Sequence, residues 1–377
     1  MTDTLTLHRK DLGTLEPLGR GGTAFVYGLP DLPPVRLGAG SADGLVYKEY
    51  KRKTLLKAGE ALTPGLRSLV AFRQHRLPHE LHARWDERIV WPLRVVVNDD
   101  GAAVGIVMPL IPYRYFQRVI RRSGPPTLVT REAEKLFGDD ETMRRIGIVP
   151  IAEEIRLQLI SRIVATYAMM HRQAIVIGDI SGKNLVYDPV PRPVGVLVLD
   201  ADSARVEGTR SAFSSQPHTP QWEPPEALAA LHRFHASGGS VHPDAVTAQS
   251  KRTDVYKLGL LVVRILDHGR GRSLNRDPAA AQRVLRRRLG PDAADLLRHS
   301  LADDPDDRPT LRAWYEAFHP RDSLDDLTAR PAGAAPAAAR AGSSGARAPA
   351  STDGPVDGQV VGDWVFVAGS GWHRRHG

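Results

Sequence analysis

Two carboxylates and an amide stand where their spacing could serve one reaction. The stretch from Ile177 to Asp202 reads Ile-Gly-Asp-Ile-Ser-Gly-Lys-Asn, then Leu-Val-Tyr-Asp, then Val-Leu-Val-Leu-Asp-Ala-Asp. Asp179 precedes Asn184 by five residues, and Asp200 follows it by sixteen. One carboxylate that orients an acceptor hydroxyl, with an amide and a second carboxylate to hold a magnesium ion, is the equipment of phosphoryl transfer. The apolar runs Leu185–Tyr187 and Val196–Leu199 flank a Pro-rich turn at Pro189–Pro193. Their composition predicts a loop, a strand, a turn and a second strand ending on Asp200. The spacing of an aspartate and an asparagine carries little specificity alone, so the elements that would position them decide its meaning.

Upstream, Leu15-Glu-Pro-Leu-Gly19-Arg-Gly21-Gly22-Thr-Ala-Phe-Val26-Tyr reads as strand, glycine-rich turn, strand. Glycines let a backbone close over phosphates with no Cβ in the way. Gly44-Leu-Val-Tyr-Lys48-Glu-Tyr is a further strand that carries a lysine. Strands are also expected over Arg88–Val97 and Ala103–Met108, and Thr63-Pro64 reads as the cap and first position of a helix. Ile155, Leu159, Ile163, Tyr167 and Met170 recur at helical spacing over Ile151–His171, a core stripe whose final His171 is expected to be packed. Downstream come Thr219-Pro-Gln-Trp-Glu-Pro-Pro225-Glu226, then Thr253-Asp254-Val-Tyr-Lys-Leu-Gly259, then Asp304-Pro305-Asp-Asp-Arg308-Pro309.

Each piece alone has an ordinary explanation as a turn or a helix start. Their order resembles the eukaryotic-type protein kinase superfamily, and the Gly-Asp and Asp-Ala-Asp variants resemble a divergent bacterial subgroup of it. The resemblance implies an α+β, two-lobed fold with a small β-rich N-lobe and a larger helical C-lobe. The expected boundaries are an extension over residues 1–10, an N-lobe over 11–111, a C-lobe over 112–322 and a tail over 323–377. The implied activity is ATP- and Mg²⁺-dependent transfer to a hydroxyl of a protein substrate, of the Ser/Thr type.

Residue by residue, Gly19, Gly21 and Val26 match G-x-G-x-x-G-x-V, with Gly22 beside them and Ala24 in place of the third glycine. Lys48 matches the lysine of V-A-I-K, the phosphate anchor, and Glu60 is the available acid for its helix partner. Gly105–Pro112 resembles the interlobe hinge, where Leu110 and Ile111 are the amide donors left for adenine because Pro109 and Pro112 have none. Asp179 takes the base position, and Asn184 and Asp200 the metal positions. Glu226, Asp254 and Arg308 take structural positions, with Arg308 pairing Glu226 and Asp254 propping the catalytic loop.

The departures are specific. Gly178 replaces the arginine that pairs with a phosphorylated activation segment, which predicts activity independent of phosphorylation at Ser214, Ser215 or Thr219. Ser181 replaces the loop lysine, leaving Lys183 as the nearest cation to the transferred phosphoryl group. Asp200-Ala-Asp202 replaces D-F-G, which predicts a stiffer hinge. These changes keep a second reading open, a catalytically weak or inactive pseudokinase that binds nucleotide as a scaffold. A small-molecule phosphotransferase of the aminoglycoside type shares the G-D-x-x-x-x-N loop but not the P-P-E, D-V-Y-x-L-G or D-R-P motifs.

The chain's 377 residues, 42% hydrophobic and 25% charged, suffice for one two-lobed domain. With no cysteine, the sequence excludes disulfides, a thiolate zinc site and a catalytic thiol. The net charge of +8 raises nucleic acid as a partner. The basic residues are scattered except at Arg286–Arg288, with no aromatic interleaving, so a solvated helix face is the expectation there and nucleic acid is not. No apolar run reaches the roughly 18–20 residues that span a bilayer, and the first residues lack a secretory core, so a cytoplasmic chain with no membrane contact is expected. From about Arg330 to Gly358 Ala, Gly, Pro and Ser dominate, which predicts a flexible linker. Val360–Val367 reads as one strand, a candidate docking segment for a partner.

Overall fold

The computed structural model describes residues 4–39, 42–120, 125–190, 193–213, 216, 218–236, 238, 249–322 and 324, and the terminal strands at 360–361, 364–367 and 371–374. Residues Met1–Pro331 and Ala332–Gly377 form separate units.

The first part of the larger unit is built on a sheet. Its strands are β1 (Thr6–His8), β2 (Glu16–Arg20), β3 (Ala24–Gly28) and β4 (Leu45–Tyr50), then, after helices α1 (Arg52–Ala58), α2 (Leu62–Ala71) and α3 (His82–Arg88), β5 (Arg94–Val97) and β6 (Ala103–Pro109). They hydrogen-bond in the order β1-β5-β6-β4-β3-β2, antiparallel except that β1 runs parallel to β5. Side chains alternate across a strand, so β4 sends Leu45 and Tyr47 into one small core with Leu12, Leu37 and Val107. Lys48 and Tyr50 share a side of β4, and Tyr50 belongs to the main core, edge-on to Phe213.

Three sequence expectations change here. The supposed extension over residues 1–10 supplies β1, an edge strand too short for a pattern to show. The strand expected from Arg88 begins at Arg94, because Trp85 and Arg88 are buried as the last turn of α3. Thr63 is not a cap: its hydroxyl accepts the Ala103 N–H at 3.0 Å, tying α2 to β6, and α2 has already begun at Leu62.

The rest of the unit is mainly helical. It runs through the hairpin β7 (Phe116–Val119) and β8 (Thr127–Thr130), α4 (Asp140–Arg145), α5 (Glu153–Arg172), β9 (Ile175–Val176), β10 (Leu185–Asp188), β11 (Gly195–Val198) and β12 (Arg205–Val206). Then come α6 (Pro225–Ala236), α7 (Lys251–Leu266), α8 (Ala279–Leu289), α9 (Pro291–Ser300) and α10 (Leu311–Phe318). This is an α+β, two-lobed, kinase-like fold. Leu159, Ile163, Tyr167 and Met170 of α5 are buried against α7, as their spacing required, and each such apolar side chain contributes about 1.5–3 kcal/mol by leaving water. Ser250 opens α7 with a capping box closed by Thr253. The Arg286–Arg288 run lies on α8, where Arg287 and Arg288 pair with Glu153 at 2.8 Å and Arg288 with Glu154 at 2.6 Å.

The terminal unit holds β13 (Val360–Val361), β14 (Trp364–Val367) and β15 (Gly371–Arg374) in an antiparallel three-stranded sheet where one strand was expected. Among the described residues, no helix is long and apolar enough to cross a membrane.

Candidate active site

The strands β10 and β11 pair from Leu185↔Val198 to Asp188↔Gly195, and the Leu199 N–H donates to the Asn184 carbonyl at 2.9 Å. That ladder sets Asn184, at the start of one strand, beside the end of the other, from which Asp200 projects. Asp179 precedes the first strand in the loop. The Asn184 amide donates to the Asp179 carboxylate at 2.7 Å and to its carbonyl at 2.9 Å. With its NH₂ so used, the Asn184 amide oxygen is left to accept.

The other Asp179 oxygen accepts the Thr219 hydroxyl at 2.7 Å and the Thr219 N–H at 3.1 Å. Burial pushes the Asp179 carboxyl above its ordinary value, opposed by the nearby Lys257 charge and by the Thr219 and Asn184 side-chain donors. The loop itself hangs from α7. Asp254, fully buried, accepts the Ile177 and Gly178 N–H groups at 2.8 Å each and contacts His171 Nε2 at 2.9 Å. Asp254 thus props the loop and His171 is packed against it.

Lys257 was not anticipated. Fully buried, it donates to the Gly178 carbonyl at 2.6 Å and to Gln249 at 2.7 Å. Lys183, expected to supply the loop's charge, is exposed and forms no ion pair with a described residue. Ser181, at the position of the absent loop lysine, is buried with its hydroxyl unpartnered among the described residues. The buried cation near Asp179 therefore comes from a helix distant in sequence, where spacing around the loop could not reveal it.

Lys48 sits at 2.9 Å from both Asp200 and Asp202. Tyr50, two residues along the same strand, donates its hydroxyl to the second Asp202 oxygen at 2.6 Å. Burial alone would depress the Lys48 ammonium, but Asp202 and Asp200 overcome it and hold it above its ordinary value. The Lys48 charge holds the half-exposed Asp200 carboxyl below its ordinary value, so that link contributes stability at neutral pH and loses it as pH falls through that lowered value.

Glu60 is not the lysine's partner. It is exposed in a 3-10 turn between α1 and α2. The helix that follows carries no acid, and it comes so close to the Ser211-Ala212 backbone that a Cβ on Gly65 would overlap Ala212. Asp202 fills the place instead. Its cost in flexibility is visible: the residue standing where D-F-G has glycine is 2% exposed and bonded on both oxygens.

The hairpin of β2 and β3 brings the glycine turn over this side of the sheet, with Val26 registered opposite Lys48. A Cβ at Gly19 or Gly22 would meet nothing within 4 Å, and at Gly21 only the Ala24 carbonyl at 3.7 Å. Packing therefore does not require these glycines, and the space above them is open to a ligand. At the hinge, the Leu110 N–H already donates to Gly44 at 2.9 Å, which removes Leu110 as an adenine donor and leaves Ile111.

The structure also brings Arg308 and Glu226 together. Arg308, fully buried, makes a bidentate pair with Glu226 at 2.8 and 2.7 Å. Gly178 adopts φ +77°, and a Cβ there would lie 2.5 Å from the Gln216 amide nitrogen. That amide bonds the Val176 carbonyl at 3.1 Å and the Ser203 carbonyl at 3.2 Å, bridging the loop and the metal-side turn without a phosphate. Ser214 and Ser215 lie outside the described residues. Thr219 cannot be grouped with them as a modification site free of other duties, because its hydroxyl holds Asp179.

Among the described residues no three His, Asp or Glu side chains cluster as a metal site. The Asn184 amide oxygen and the free Asp200 oxygen are hard donors that suit magnesium, which is commonly held by one or two protein groups plus phosphates.

No protein-family model matches the chain. Two curated proteins do. Mouse Tribbles homolog 1 is 28% identical over 195 residues, covering 48% of this chain and 48% of the relative. The human Tribbles homolog 1 is 28% identical over 196 residues, covering 49% and 48%. The chain spans about half the length of the curated relatives it matches, and the likeness supports a protein-kinase-like relationship.

Proposed function

We propose that the chain is an ATP- and Mg²⁺-dependent protein kinase, of the Ser/Thr type. The observation that carries this reading is the state of Asp179, held on one oxygen by Asn184 and on the other by Thr219. A carboxylate so oriented can receive a hydroxyl from a substrate placed against it. Lys48 is poised by Asp200 for the phosphates, and the glycine turn leaves them room to approach its backbone closely. Asn184 and Asp200 would hold the magnesium ion, which would neutralise charge on the phosphates. Ile111 offers its N–H to the adenine edge, and Lys257 supplies positive charge behind Asp179.

A nucleotide-binding scaffold is the second reading. It is favoured by the Lys48–Asp202 pair, which anchors the lysine without any acid from α2, and by the serine at position 181.

The test is incorporation of labelled phosphate from ATP and Mg²⁺ into a general protein substrate and into the chain itself. Wild type is compared with Asp179→Asn and Asp200→Asn. Incorporation that both variants lose supports the kinase. ATP raising the melting temperature of a wild type that transfers nothing selects the scaffold.

A second expectation follows from Gln216. Because its amide already joins the Val176 and Ser203 carbonyls, the double variant Ser214→Ala/Ser215→Ala should phosphorylate substrate within about twofold of wild type. A fall beyond tenfold in the same incorporation assay would show that a phosphate there is needed.

A further inference from the structure

Between α3, α5 and α10 lies a cavity of about 710 Å³, none of whose lining residues belongs to the cleft around Lys48, Asp179 and Asp200. Three arginines line it, Arg84 and Arg88 from α3 and Arg162 from α5. Four of their N–H-bearing nitrogens are buried with no hydrogen-bond partner among the described residues: Arg84 Nη1, Arg88 Nε and Nη1, and Arg162 Nε. Arg88 is 6% exposed. Native proteins leave few buried donors unmet, and four on three guanidiniums that line one cavity is a concentration that folding alone does not explain. Leu157, Val194 and Phe318 supply an apolar lining to the same space.

The facing charges do not satisfy the cluster. Glu87 takes only the Arg162 Nη2 at 2.9 Å and is half exposed, while Asp322, 62% exposed, lies 3.7 Å from His319. Burial, with the Arg162 charge beside it, lowers the Arg88 guanidinium to about 10, which leaves it charged at neutral pH. Burial also lowers His319, so it adds no positive charge there.

We propose that this cavity binds a small amphipathic anion, a carboxylate or phosphate monoester on an apolar body. Unmet guanidinium N–H groups give an anionic oxygen charge-assisted hydrogen bonds. The volume falls in the range of small-molecule sites, and the mixture of an apolar wall with a few convergent polar groups is how such sites are built. The proposal does not rest on phosphoryl transfer.

Calorimetric titration of the full chain with phenyl phosphate, benzoate and phenol tests it. Both anions should bind wild type and Lys48→Met equally, neutral phenol should not bind, and the stronger anion identifies the headgroup. Arg88→Met should weaken binding by about tenfold to a hundredfold, the loss expected for charge-assisted hydrogen bonds. The less buried Arg84→Met gives the same reading, with a smaller loss, should Arg88→Met not fold. Affinity unchanged by Arg84→Met, or lost with Lys48→Met, would place the anion in the cleft and overturn the proposal. Absence of binding by either anion at about millimolar concentration would mean that solvent satisfies the arginines, and the proposal fails.

Discussion

Asp202→Ala is expected to destabilise the protein by about 3–5 kcal/mol in urea denaturation, the cost of removing one partner from a buried ion pair. The Asp202 side chain is 3% exposed and that of Lys48 9%, so neither charge can recover water in place of the other. The same substitution strands the Tyr50 hydroxyl, whose acceptor is Asp202. Asp200 still faces Lys48, which moves the expectation toward the lower end. Asp202→Asn, which keeps an acceptor for one of the two donors but not the charge, should fall between wild type and Asp202→Ala. Glu60→Gln should stay within about 0.5 kcal/mol of wild type, as exposed substitutions do. If Glu60→Gln costs as much as Asp202→Asn, the assignment of the lysine's partner is wrong. The ATP-induced rise in melting temperature should also shrink in Asp202→Ala, because a lysine released from one of its two carboxylates is no longer fixed for the phosphates.

This replacement shows where the sequence was legible. The order of glycine turn, Lys48, Asp179, Asn184, Asp200, Glu226, Asp254 and Arg308 could be read from spacing because each belongs to a strand, a loop or a helix start that local composition marks. The two-lobed fold was legible for the same reason. What could not be read were contacts between elements far apart in the chain. Lys48 is 152 residues from Asp200, and nothing in either segment says that Asp202 rather than an acid of α2 completes the pair. The one available signal was negative, since α2 contains no acid, and its positive counterpart was the second aspartate of Asp-Ala-Asp. Lys257 was hidden differently. In a helix that reads as apolar core, a lysine looks like a solvated exception, yet Gly178 and Gln249 accept its hydrogen bonds in the interior. Hinge donors fail by a third route: Leu110 looks free until β4 is placed beside it.

Asp179→Asn is expected to lower the rate of phosphate incorporation by about 10²–10⁴-fold, the range attributable to a positioned base. Nucleotide binding, measured by the thermal shift with ATP and Mg²⁺, should persist, whereas Asp200→Asn should lose the magnesium-dependent part of that shift. Geometry adds a refinement. Wild-type Asp179 accepts on both oxygens, from Asn184 and from Thr219, but an asparagine offers one oxygen and one NH₂. If the new NH₂ faces Asn184, the Asn184 amide must turn its oxygen toward it and away from a cation, so a weakened magnesium dependence would identify that orientation. Stability should not fall in step with activity. The Asp179 carboxyl is raised in the folded chain, so its ionised form opposes folding, and its contribution declines as pH rises through the raised value. At neutral pH an uncharged amide removes that opposition, which leaves the variant about as stable as wild type in urea. The pH profile supplies the separate check. Wild-type transfer should fall on acidification with a midpoint above that of an ordinary aspartate, and the residual activity of Asp179→Asn should lack that limb. An identical acid limb in both proteins would assign the base to another residue.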